Sequence, residues 1–96
     1  MTIWKNSKMT RLYYSKDSAL EDYHCIVEID DKGIVVEYEG DGTVQYRGSD
    51  KGIGHYLLRS KTVNGEASLH MFPLSTILEG CWFEGGDRGM WRITLA

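Results

Sequence analysis

Apolar and polar residues alternate with a period of two through most of this chain, and glycine-rich turns break the alternation at short intervals. The turns fall at Asp31-Lys32-Gly33, Gly40-Asp41-Gly42, Gly48 through Gly54, Val63-Asn64-Gly65, Pro73 through Thr76 and Gly85 through Gly89. Glycine supplies the backbone conformations that tight turns need, and Asn-Gly is a strong hairpin signal. Between the turns lie runs of roughly five to nine residues rich in Val, Ile, Tyr, Trp and Thr, as half-buried strands require. Parallel pairing needs crossovers of about a dozen residues or more, and the turns are too short for that.

The strands predicted are Thr10–Tyr14, Tyr23–Asp30, Ile34–Glu39, Thr43–Arg47, His55–Lys61, Glu66–Phe72, Ile77–Glu84 and Met90–Leu95. Ser15 to Asp22 is the one stretch with room for a helical turn, where Ser18 and Glu21 have capping-box spacing. Trp4 is expected to pack an N-terminal segment across one end of the fold. Alternation puts Tyr23, Cys25, Val27, Ile29, Ile34, Val36, Tyr38, Val44, Tyr46, Tyr56 and Leu58 on one face. Ala67, Leu69, Met71, Leu78, Gly80, Trp82, Trp91, Ile93 and Leu95 continue it. The other face takes Glu28, Glu37, Glu39, Gln45, Arg59, Lys61, Glu66, Ser68, Glu79, Glu84, Arg92 and Thr94. A slip of one residue would bury these charges, so the register is well specified.

Strands with one apolar face gain by closing on themselves, because closure removes exposed edges. The expectation is an all-β, compact antiparallel up-and-down β-barrel of about seven or eight short strands, with at most one short helix. The 96 residues are room for a single barrel domain spanning residues 1–96. A chain of this size buries a modest share of its surface, and its three Trp, six Tyr and two Phe fill a small core economically.

The net charge of −3, spread without long runs, argues against a long nucleic-acid partner, while two or three local cations suffice for one nucleotide. No stretch approaches the roughly 18 apolar residues of a membrane-spanning helix, and Met1 to Tyr14 lacks the continuous apolar segment of a signal peptide. Two cysteines, Cys25 and Cys81, are fewer than a small secreted domain usually carries. Free thiols and a cytoplasmic location, with no membrane association, are therefore expected. One disulfide remains an alternative.

Tyr23, Tyr38, Tyr46 and Tyr56 point inward by alternation, and each hydroxyl needs a partner or the open rim. Arg47, Arg59 and Arg92 on strands, with Lys51 and Lys61 nearby, are ordinary solvated positions unless some reach the barrel mouth, where a guanidinium would fork onto a phosphate or carboxylate. Gly48 through Gly54 lacks the spacing and the following helix of a phosphate loop and reads as a connection. His55 and His70 fall where cross-strand neighbours would lie. Two histidines are short of a zinc cage, so no metal site is expected. No nucleophile elbow or cysteine signature is present, so no catalytic residues are assigned, no cofactor is expected, and the chain reads as a binder sooner than an enzyme.

The segment Leu78-Glu79-Gly80-Cys81-Trp82-Phe83-Glu84, followed by Gly85-Gly86 and Gly89-Met90-Trp91-Arg92-Ile93, resembles the L-x-G-x-W … G-x-W-x-I rhythm of small lipocalin-like (calycin) barrels. The resemblance covers residues 44–95. It implies an up-and-down barrel with a small molecule in its mouth, a glycine that lets strands pack closely, and a tryptophan that plugs one end. Lipocalin-like cyclic-nucleotide sensors of bacterial anti-phage defence are a subgroup of similar size. The chain is shorter than classical lipocalins and lacks their signal peptide and C-terminal helix, which points to a shallow, polar, aromatic-lined pocket in place of a deep apolar calyx.

The expected function is non-catalytic binding of a small polar or aromatic molecule, nucleotides included. Tyr38, Tyr46, Tyr56, Trp82 and Trp91 would stack or donate hydrogen bonds, and Arg59 or Arg92 would neutralise an anion. The alternative is a protein-interaction or inhibitor module acting through its outer surface, as a homodimer or with another protein, because Val35, Leu57, Phe72 and Phe83 fall outside the core face.

Overall fold

The computed structural model describes residues 2–14, 21–40 and 42–96. Eight strands follow one another: β1 (Thr2–Tyr14), β2 (Glu21–Ile29), β3 (Gly33–Gly40), β4 (Gly42–Asp50), β5 (His55–Ser60), β6 (Gly65–His70), β7 (Ile77–Glu84) and β8 (Asp87–Thr94). Each pairs antiparallel with the next, and β1 pairs with β8 to close an up-and-down barrel. No helix occurs among the described residues. Of the expected helical turn, residues 15–20 lie outside the described residues, while Glu21 and Asp22 are strand and pair with Arg11 and Thr10.

The interior is the apolar face of the alternation. Cys25, Val27, Ile34, Val36, Tyr38, Val44, Tyr46, Tyr56, Leu58, Leu69, Leu78, Trp82, Trp91 and Ile93 are all buried there. The largest fully buried side chains are Tyr46, Leu58, Leu69, Leu78 and Ile93, so aromatic and branched aliphatic groups fill the lumen. Cys25 is buried, and burial pushes its thiol up to about 12. Cys81 is exposed on the outside of β7, and both cysteines are free.

β1 departs most from expectation. It is a strand from Thr2 onward, and Trp4 belongs to it, half-buried against the core and opposite Val27. Two irregularities hide this from period-two counting. Trp4 faces Val27 but Ser7 faces Cys25, so β1 spends three steps against two of β2. Arg11 faces Trp91 but Tyr13 faces Met90, two steps against one of β8. Each bulge shifts the parity of the inward residues. After the first, Ser7 and Met9 point inward and are buried. The Ser7 hydroxyl oxygen accepts a bond from the Ala96 amide at 3.1 Å, and the Asn6 amide donates to the Ala96 carbonyl at 3.0 Å.

Gly80 shows how tightly the strands pack. Its place opposite Trp91 leaves no side chain between β6 and β8 on the inner face, and the Trp91 indole N–H reaches across to the Ser68 carbonyl at 3.1 Å. A Cβ on Gly80 would lie 1.7 Å from that same carbonyl oxygen. The loop-like segment from Gly48 splits, with Gly48, Ser49 and Asp50 completing β4 and Lys51 to Gly54 forming the turn.

Candidate functional site

One end of the barrel gathers the polar chemistry. Here β1, β3 and β7 finish and β2, β4 and β8 begin, so side chains from distant parts of the sequence meet. Glu84, the last residue of β7, shares the parity of Trp82 and turns inward, half-buried. This corrects its expected place on the outer face. Its Oε1 accepts the Tyr46 hydroxyl at 2.5 Å and that of Tyr38 at 3.4 Å.

Gly65 makes the first of these bonds accessible. It pairs with Glu84 across the β6–β7 ladder, and a Cβ there would lie 2.3 Å from the Tyr46 hydroxyl oxygen. The missing side chain leaves the gap through which a fully buried tyrosine reaches the carboxylate. Burial pushes both phenols up, because the phenolate is poorly solvated there, and the neighbouring Glu84 adds to the shift. Both hydroxyls are therefore protonated donors at neutral pH.

Arg11 supplies the positive charge. The first bulge gives it the inward parity of Ser7 and Met9, and its guanidinium sits 5.0 Å from the Trp82 ring centre and 5.5 Å from that of Tyr23. These are cation–π distances. Arg11 also lies 3.9 Å from a carboxylate oxygen of Glu21, which in turn accepts the Tyr23 hydroxyl. Tyr23 and Tyr38 tilt against one another with ring centres 5.7 Å apart. Arg11, Tyr23, Tyr38, Val44, Val63 and Glu84 border a cleft of about 460 Å³ open to solvent.

The residues expected to bind ligand separate into three places. Tyr38, Tyr46 and Trp82 belong to this mouth, and Trp91 lies beneath it, meeting Tyr46 edge-on at 5.3 Å. Tyr56 begins β5 and is buried at the opposite end. Arg59 and Arg92 are on the outside. Arg59 lies 3.7 Å from Glu66 and lines a groove outside the same rim, to which Glu84 also contributes. Arg92 holds Glu79 at 2.8 Å on the far side of the sheet from the lumen. The cation at the mouth is Arg11, while Arg59 and Arg92, expected to neutralise an anion, lie outside the lumen. Sequence reading also passed over Glu84 and Gly65. The two-residue step from Trp82 to Glu84 was a readable signal for the first, while nothing short of the fold shows that Arg11 faces inward.

Outside the barrel, Leu57, Phe72 and Phe83 are exposed by 58%, 84% and 53%, and Val35 is half-buried. Among the described residues, no group of three or more histidine, cysteine or acidic side chains gathers as a metal cage. Comparison of the chain with models of known protein families and with curated proteins finds no match.

Proposed function

We propose that the mouth bordered by Arg11, Tyr23, Tyr38 and Glu84 binds a small planar, polar molecule without chemical change, in the manner of lipocalin-like barrels, with nucleotides the leading class. The observation that carries this reading is the meeting of a carboxylate, two protonated phenols, a guanidinium and aromatic faces at one barrel end. Aromatic rings stack a planar base, Glu84 accepts from an amide or amino N–H, and Arg11 neutralises an anionic group. The cleft falls in the usual volume range of ligand sites, and the filled lumen beneath it favours a shallow polar site over a deep calyx.

The test is thermal unfolding against nucleotides, cyclic dinucleotides, sugars and fatty acids. A ligand at about 100 times its dissociation constant adds roughly 2.7 kcal/mol, which in so small a domain raises the midpoint by about 10 °C. A shift of that size is expected with a nucleotide class, and Arg11→Gln or Tyr38→Phe should remove most of it. A flat response across the panel overturns the reading. It would leave the alternative of a protein-binding outer face, which the row Leu57, Ser68, Cys81 and Met90 across β5 to β8 supports, with Phe83 beside it.

A further inference from the structure

His55 and His70 stand far from the mouth, and their geometry has a chemistry of its own. The Met71 amide donates to the Gly54 carbonyl at 2.8 Å, so the position just before β5 and just after β6 is a hydrogen-bonded one. In an antiparallel ladder the next pair is then the narrow, non-hydrogen-bonded kind, where side chains approach most closely. That pair is His55 and His70. Their rings meet almost at right angles, with centres 4.6 Å apart and the two Nδ1 atoms 2.6 Å apart.

Two neutral imidazoles in this arrangement share one hydrogen between facing nitrogens, one ring donating and the other accepting. Moving that hydrogen to the donor's own Nε2 leaves a free lone pair on each facing Nδ1, with no net gain or loss of protons. Imidazole nitrogens bind zinc and similar ions at about 2.0–2.1 Å, so two ligands on one ion lie roughly 3 Å apart. The nitrogens need to part by roughly half an ångström and the rings to turn until both lone pairs meet the ion. Both residues are exposed, so an ion reaches them directly from solvent.

We propose that His55 and His70 form a surface chelate for a borderline divalent transition metal ion, with solvent completing its coordination. Imidazole ligands suit Ni²⁺, Cu²⁺ and Zn²⁺ and disfavour Mg²⁺ and Ca²⁺, which seek oxygen. Glu79, opposite His70 on β7, is turned to Arg92, whose two nitrogens meet its Oε2 at 2.8 and 2.9 Å, and among the described residues it does not gather with the two histidines into a three-ligand cage. A sheet that fixes both histidines makes binding of the second nitrogen intramolecular, the source of chelate affinity.

The experiment uses the Cys81→Ser protein, so that the exposed thiol does not compete, with Ni²⁺ and Zn²⁺ as probes. Titration calorimetry should show one ion per chain. His55→Asn and His70→Asn should each weaken binding about tenfold or more, and the double variant little further, because one imidazole already loses the chelate. In amide NMR spectra, substoichiometric Ni²⁺ should broaden signals around residues 55 and 70 first. His24, which faces Lys8 across β1 and β2, is the internal control. Affinity kept within twofold by either variant, or broadening centred on His24 or the amino terminus, overturns the proposal.

Discussion

At the scale of single residues, the carboxylate of Glu84 organises the mouth. Tyr46 is wholly buried, and its hydroxyl reaches Glu84 through the gap at Gly65. The proton on this phenol is held more tightly in the folded chain than in the unfolded one, where phenols ionise near pH 10. The associated stability is fully present below about pH 10 and is lost as pH rises beyond it. Denaturant unfolding at pH 8 and at pH 10.5 should therefore show a steep alkaline loss in the native sequence. Tyr46→Phe should cost about 1–2 kcal/mol at pH 8 and lessen the alkaline fall, of which Tyr38 and Cys25 keep their share. An unchanged slope would mean that the Tyr46 hydroxyl is not held in the dry, Glu84-facing position described above. Much of this residue-level picture could be read in advance. The inward parity of Tyr38, Tyr46 and Trp82 follows from alternation, while Arg11 was hidden because the bulge between Trp4 and Ser7 resets the count on β1.

Among elements, the tight passage is where β6, β7 and β8 lie side by side. Trp91 spans β7 to bond the Ser68 carbonyl because Gly80 contributes nothing in between. Gly80→Ala would drive a methyl group into backbone, which cannot move without parting two strands. A loss of more than about 2 kcal/mol is expected in urea unfolding, with the fluorescence of Trp91 altered in whatever remains folded. A near-neutral substitution would show that the strands are more widely spaced. Strand existence was legible for all eight elements, seven of them through period-two alternation, whereas β1 was foreseen only over its last stretch, Thr10–Tyr14. Strand ends were less so. β4 runs on through Gly48, Ser49 and Asp50, because the ladder to β3 continues where polar side chains and glycine hide the pattern.

For the molecule as a whole, closure was foreseeable from the single apolar face, but not which strand completes the ring. β1 performs that task along its full length, pairing with β2 from Thr2 to Arg11 and with β8 from Lys8 to Tyr14. Seven of the eight interfaces join neighbours in sequence, with no more than six residues between one strand and the next. The eighth joins residues some 80 positions apart, such as Lys8 with Thr94 and Met9 with Ile93. Bringing such distant partners together carries the greatest loop-closure entropy, so this seam should form last, after the transition state that the hairpins build. Ile93→Val at the seam should then speed unfolding and leave the folding rate nearly unchanged, whereas Val36→Ala within the β3–β4 hairpin should slow folding. Stopped-flow chevrons separate the two, and a seam substitution that slows folding would place closure early. During synthesis, every strand up to β7 emerges before β1 can meet its last neighbour. For that interval the nascent sheet keeps two unsatisfied sides, and the cell's window for misassembly is set by the time β8 takes to appear.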